Sequence, residues 1–392
     1  MIYTICNKDI KGDSSQRICG LDMIRVCAIF FVIAGHFFSL NTAYKFVPFE
    51  GVSMFLQGMA SELFTGVPLF YMLTGYLNIN KTVSKKYYKG MIRVLVSYLI
   101  FSLITIVFRK CYLHEDASWG GLLQLILNYE AIPYAWFIEM WIGLALLTPF
   151  LNYLYKAIPT MREKIIGILI LFALTALPDL LNRYGMYVVP GYWGNACFPL
   201  MFFFMGAFIR EYQPVINWKV GLLFIFAMIN ITPLFNVLFF DGHDVVDITG
   251  GSRGVFSTWV TVTIFLLLYR KDIRIKPLLP LRRFITHCSM VSYEMYLCCW
   301  MFDQLYYPWF KERFYESQSQ FLPWFLVIVP LVFFSSYFVA SIYNYIAAKI
   351  RRKVNSQQEQ PLAGLTLNEK TAALYEDDND DEDCHPDGNS KH

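Results

Sequence analysis

Along the chain, apolar residues come in long blocks rather than in stripes of period 3.6 or in strict alternation. A bilayer core takes ~20 mostly apolar residues per helix. Blocks near that length recur at 20–40, 63–79, 91–108, 134–155, 165–181, 196–212, 218–240, 253–269, 285–305 and 321–348. Backbone polar groups must be paired inside hydrocarbon, so these blocks predict helices. A membrane β-barrel would show short segments of alternating polarity instead. The predicted fold is all-α, a polytopic membrane helix bundle of about ten transmembrane helices. Residues 46–60, broken by Pro48, Glu50, Gly51 and Gly58, are expected along the interface. Residues 118–129 read as a short surface helix, too brief to span.

The polar connections test that count, because cytoplasmic loops collect lysine and arginine. With ten spans both termini share one side, and its loops carry 23 lysines and arginines against 7 on the other. The densest run is Arg270, Lys271, Arg274, Lys276, Arg282 and Arg283. Both termini are therefore expected in the cytoplasm, and the protein in the inner (cytoplasmic) cell membrane as a multi-pass chain. Residues Met1–Gly20 are polar and lack a cleavable-signal pattern, so the first block is expected to be retained.

Composition agrees: 56% of the 392 residues are hydrophobic and 16% charged, where a soluble domain has roughly a quarter charged. The net charge of +3 decides nothing alone. After Lys353 the chain turns polar and ends in an acidic run from Glu376 to Asp383. Such a segment cannot bury enough apolar surface to fold. The domain reading is a membrane domain over 1–353 and a disordered acidic cytoplasmic tail over 354–392.

Ionisable residues within membrane spans are costly and default to functional candidates. The first block, LDMIRVCAIFFVIAGHFFSL, has Asp22 and Arg25 near one end and His36 deep within. Arg25 and His36 are 11 residues apart, about three turns and roughly 16 Å, so both point the same way. Gly35 leaves room for a close neighbour, and Asp22 is spaced to pair with Arg25. The structural alternative is that Arg25 snorkels to headgroups and His36 bonds another helix. Glu139, between Trp136 and Trp141, and Glu294 are supporting candidates for orienting His36 or binding hydroxyls. The nine cysteines form no C-x-x-C pair and read as small buried residues. Asp241, His243, Asp244 and Asp247 match no metal pattern and read as a solvated loop.

Arg25-x10-His36 in a first span resembles the membrane acyltransferase-3 family. GVPLFYMLTGYL (66–77), YAWFIEMWIGLALLTPFL (134–151) and SYEMYLCCW (292–300) are similar to further signatures of that family, in the same order. The resemblance runs from Gln16 to about Lys353. It implies transfer of an acyl group, usually acetyl, from a cytoplasmic acyl-CoA to a hydroxyl. The implied acceptor is a cell-surface glycan or its lipid-linked precursor, in lipopolysaccharide or exopolysaccharide biosynthesis. It also implies that His36 is catalytic and Arg25 occupies the family's first-span arginine position. The sequence departs from the pattern twice. Lys86-Tyr87-Tyr88-Lys89, followed by Arg93, stands where the family often has Arg-x-x-Arg, and lysine lacks arginine's bidentate fork. Cys299 stands where the family often has histidine.

The expected chemistry is an O-acetyltransferase in which His36 is general base on the acceptor hydroxyl, since histidine titrates near neutrality; a covalent acyl-histidine is the other route. Phosphates of acetyl-CoA, a co-substrate, are expected against Arg25, Lys86, Lys89 and Arg93. No bound cofactor, metal or nucleic acid is expected; the partners are the acyl-CoA, the glycan acceptor and membrane lipids. The rival reading is a carrier or flippase for a glycolipid or small solute with His36 as proton relay. A glycan polymerase or ligase is disfavoured by the short outward loops.

Overall fold

The computed structural model describes residues 18–38, 59, 63–64, 66–115, 118–182, 187–240, 253–273 and 276–363. Residues 46–58 and the Asp241–Asp247 loop lie outside them, as does the acidic tail. The described residues are helical, with no strand among them. In order, the helices are α1 (Cys19–His36), α2 (Val67–Asn78), α3 (Lys85–Cys111), α4 (Trp119–Leu127), α5 (Trp136–Ala157), α6 (Met161–Thr175), α7 (Leu177–Leu181), α8 (Gly194–Tyr212), α9 (Trp218–Phe240), α10 (Val255–Leu268), α11 (Leu279–Phe314), α12 (Gln318–Phe321) and α13 (Phe325–Ala363).

Local chemistry sets the helix starts. Ser84 caps α3 through the Tyr87 N–H, Ser118 caps α4 through Gly121, and Thr160 with Glu163 forms a capping box on α6. The short helix expected over 118–129 is α4. Its exposed Leu123 and Leu127 flank Ile126, which is buried. The tail boundary at Lys353 is not a helix end, because α13 continues to Ala363.

By length and composition four described helices can cross a membrane: Cys19–His36, Lys85–Cys111, Trp136–Ala157 and Leu322–Lys353; Trp218–Ile231 and Val255–Leu268 are shorter apolar helices. The shortfall from ten has physical sources. Helices α2 and α6 have only 12 and 15 residues. Helix α11 is long, but His287, Ser289, Ser292, Tyr293 and Glu294 dilute its apolar run. Along α3 the side chains of Ile92, Val96, Leu99, Leu103 and Val107 are exposed, each by 44–57%. An apolar stripe of that length on an outer surface belongs in lipid rather than water. This is a membrane protein.

Contacts fix relative directions. The Asp22–Ser289 and His36–Tyr134–Asp303 contacts make α1 and α11 parallel. Tyr293 reaching Val94 and Phe108 reaching Trp300 make α3 parallel to α11. Helix α2 opposes α1, since Phe64 lies against Gly35 and Gly66 against Ala28. Helices α2 and α8 run parallel: Tyr71 meets Phe198 near one end and Tyr76 meets Arg210 near the other. Their interface is tight because a Cβ at Gly75 or Gly206 would run into the Phe203 or Met72 carbonyl. Small residues that admit backbone contact are how helices associate where lipid supplies no hydrophobic drive. Helix α5 runs with α2, from Phe137 beside Tyr71 to Asn152, whose amide donates to the Asn78 and Lys81 carbonyls, both at 2.7 Å.

The chain divides into two compact units, Met1–Ala340 and Ser341–His392. The first holds the helices above up to the middle of α13. The second is described over 341–363, where it is helical and exposes Tyr345, Ile346 and Ile350.

Candidate active site

Helices α1 and α11 meet through polar side chains at two levels. At the first, buried Asp22 accepts from Ser289 at 2.7 Å and from Thr286 and Arg25 at 3.4 Å. Arg25 also donates to Ser289 Oγ at 3.4 Å, and its side chain keeps 28% exposure. Asp22 and Arg25 thus form the expected pair, and the carboxylate also ties α1 to α11.

Fourteen residues further along each helix, about 21 Å up the axis, stands the second level. The His36 ring stacks on Tyr134, with centroids 3.6 Å apart and planes 30° from parallel. The Tyr134 hydroxyl donates to Asp303 Oδ2 at 2.7 Å. Asp303 is 1% exposed, and its Oδ1 has no hydrogen-bond partner among the described residues. Nor has the buried Tyr307 hydroxyl. Cys299, Asp303 and Tyr307 are spaced four apart, which puts them on one face of α11. Tyr296, on the same side, directs its hydroxyl to the Tyr134 carbonyl.

Tyr134 is held from outside this pair. It lies in the turn before α5, buried with Ala131, Ile132 and Ala135. Arg109 at the end of α3 binds that turn by donating to the Glu130 and Ala131 carbonyls at 3.1 and 3.3 Å. Its Nε pairs with Glu115 at 2.7 Å. Tyr98, lower on α3, donates to the Ile126 carbonyl at 2.8 Å. Tyr129, in the left-handed region at φ 59°, lets the chain reverse there. The segment 126–135 thus turns back against the bundle and delivers Tyr134 to His36. On the α1 side, a Cβ at Gly35 would stand 2.6 Å from the Phe64 carbonyl, so the glycine admits a close neighbour beside His36. Past His36 the chain enters a wider π turn at Phe37 and Phe38. Phe37 stacks on Phe321 and lies tilted against Tyr307, and Phe38 stacks on Phe64 and lies tilted against Phe325, forming an aromatic wall beside the cluster.

The other sequence candidates lie elsewhere. Glu294 is buried near Ser97 of α3, at 3.4 Å, nine residues and about 14 Å below Asp303. Glu139 is exposed on the first turn of α5 and takes no part in the cluster. Lys86, Lys89 and Arg93 are exposed on α3, toward the Asp22–Arg25 end of the bundle. Cys299 is buried in the cluster's face of α11. Ile29 and Val32, on the line from Arg25 to His36, are both buried. No group of three or more metal-type ligands occurs among the described residues.

Asp303, Tyr134 and Tyr307 were not singled out from sequence. The signal for Asp303 was present: it is a carboxylate inside an apolar block, 285–305, with polar residues four before and four after it. Tyr134 carried no such signal, because only the fold of 126–135 brings it to His36.

The site is a contact chain of a histidine, a tyrosine and a buried aspartate inside a helical membrane bundle. The acyltransferase-3 model, described as an acyltransferase domain, matches residues 19–341, which spans both levels of the α1–α11 pair. The chain belongs to the acyltransferase-3 family of membrane acyltransferases. No curated protein and no solved structure matches it.

Proposed function

We propose that this protein is an O-acetyltransferase that moves acetyl from cytoplasmic acetyl-CoA to a hydroxyl of a surface glycan or its lipid-linked precursor. The observation that carries this reading is His36 stacked on Tyr134, whose hydroxyl is held by Asp303. His36 takes the proton from the acceptor hydroxyl as its oxygen attacks the thioester carbonyl. The carbon–sulfur bond breaks, and the imidazolium returns the proton to the departing thiolate. Tyr134 fixes the imidazole plane. The Asp303 carboxylate offsets the positive charge that His36 carries between those steps.

The donor enters from the Arg25 end, where Lys86, Lys89 and Arg93 add positive charge. Its arm follows the stripe of Ile29 and Val32 over the roughly 16 Å to His36. Both residues are buried, so the arm enters only when the element over them moves. We further propose ten spans, with both termini cytoplasmic, in the inner membrane. The parallel run of α1, α3 and α11, opposite to α2, α5 and α8, supports this count, since strict alternation of ten spans requires it.

Membranes carrying the chain, supplied with radiolabelled acetyl-CoA, are expected to label a glycan or glycolipid. His36→Ala is expected to lower that rate by about 10²–10⁴-fold, the usual worth of a positioned general base. Full transfer by His36→Ala would end the mechanism. Solute flux without labelled product would favour a carrier. Mass spectrometry of surface glycans with and without the chain would identify the acceptor.

A further inference from the structure

A polar concavity lies where α2, α5 and α8 end and α6 begins, at the end of the bundle away from His36. It encloses about 330 Å³ and is lined by Ile79, Asn80, Tyr155, Lys156, Lys164, Arg210 and Glu211. Its floor is a closed ion pair: Lys164, only 6% exposed, donates to both Glu211 oxygens at 2.8 Å, and Tyr155 donates to Glu211 Oε2 at 2.6 Å. The single carboxylate is therefore already neutralised by the lysine beneath it.

Lys156 and Arg210 remain. Arg210 lies over the Tyr76 ring, 5.2 Å from its centroid, and reaches that hydroxyl at 3.4 Å. Neither cation pairs with a carboxylate among the described residues. Asn152 fixes the opposite rim by holding the Asn78 and Lys81 carbonyls, which sets Asn80 over the cavity. The pocket thus presents two uncompensated positive charges and an amide around a volume in the range of small-ligand sites. That balance suits a dianion. Arginine's planar fork favours the oxygens of a phosphate, and lysine serves phosphates as a point charge. Arg210 is half-buried and Lys156 stands exposed at the rim, while Lys86 and Lys89 are exposed on the surface of α3.

We propose that this pocket binds a phosphate group. Two sources share that chemistry: a phosphate of the acyl donor, and the headgroup of an anionic phospholipid. The donor assignment rests on the acetyl-CoA reading above; the phosphate assignment does not. The full chain, purified in neutral detergent, is titrated with adenosine 3′,5′-bisphosphate. In parallel it is reconstituted in phosphatidylcholine with and without phosphatidylglycerol, and retained lipid is counted by native mass spectrometry. The double variant Lys156→Gln, Arg210→Gln is expected to lose about tenfold or more of the affinity for one of the two probes. Loss for the bisphosphate assigns the donor; loss for phosphatidylglycerol assigns the lipid. If the double variant does not fold, Lys156→Glu, which changes only the exposed rim, is expected to show the same loss. Unchanged affinity in the folded variants, or no binding of either probe to the parent chain, overturns the proposal. His36→Ala is expected to keep the binding while losing transfer, so the two readings fail separately.

Discussion

The α1–α11 pair buries one carboxylate at each of two levels, and the two are treated differently. Asp22 is surrounded by donors: Ser289, Thr286 and Arg25 all reach it. Asp303, in the same register, accepts from Tyr134 and keeps Oδ1 without a hydrogen-bond partner among the described residues. A buried charge is tolerated when its lone pairs are filled, and one left partly unfilled is destabilising. The lower level therefore has the form of a clamp. The upper level retains an unspent acceptor behind the tyrosine on which the imidazole stacks, which is the form of a site. Burial alone does not separate them, since both carboxylates are 1% exposed.

The strongest way to break this comparison is Asp303→Asn. The amide keeps the shape and can still accept from Tyr134, but it removes the carboxylate that holds that hydroxyl. Transfer is expected to fall by about 10–100-fold, as when a charged group is lost from a preorganised site. The thermal midpoint in detergent is expected to stay near that of the parent chain. A variant that instead melted early with its rate per folded molecule intact would make Asp303 a second clamp.

Asp22→Ala should show the opposite balance. It leaves Ser289 and Thr286 without their acceptor and separates α1 from α11, at a cost of about 1–3 kcal/mol. The readout is an earlier unfolding transition. Arg25, released from Asp22, remains at the proposed donor end, so the rate per folded molecule is expected to fall less than in Asp303→Asn. A larger fall in rate than in stability would move Asp22 from clamp to donor site.

This contrast also explains what was readable from sequence. The apolar blocks, their order and the Asp22–Arg25 pair followed from local spacing, because a helix fixes which residues three, four or eleven apart share a face. His36 was visible as a polar residue in an apolar run. The partner of His36 was not, since Tyr134 reaches it only through the reversal at Tyr129 and the anchoring by Arg109, and neither leaves a periodic trace. Glu294 and Asp303 share one apolar block, and only the parallel register of α1 and α11 shows which of the two lies level with His36. The same limit hid the Lys156–Arg210 pocket, whose residues read in sequence as orienting charge.

Tyr134→Phe divides the upper level into its parts. The ring stack on His36 survives, while the hydrogen bond to Asp303 is lost. A neutral-to-charged hydrogen bond of this kind is worth about 1.5–3 kcal/mol when broken. Because Asp303 can recruit water or Tyr307 in its place, the expected effect on transfer is smaller, about three- to tenfold. Loss as deep as that of Asp303→Asn would mean that the hydroxyl itself, and not the ring, is what His36 needs.

Glu139→Gln gives the smallest expected effect and tests whether nearness in sequence carries function. Glu139 lies five residues after Tyr134, in a segment rich in tryptophan, and is the first acid after it along the chain. Its side chain is exposed on the first turn of α5, where a negative charge favourably faces the helix N-terminus. Neutralising it is expected to cost at most about 0.5–1 kcal/mol of stability. Transfer is expected to stay within about twofold, as for surface changes elsewhere. Asp303 is 169 residues from Tyr134 yet in contact with it. A tenfold loss in Glu139→Gln, with normal folding, would extend the site outward along α5 and make Glu139 a contact for the acceptor rather than a surface charge.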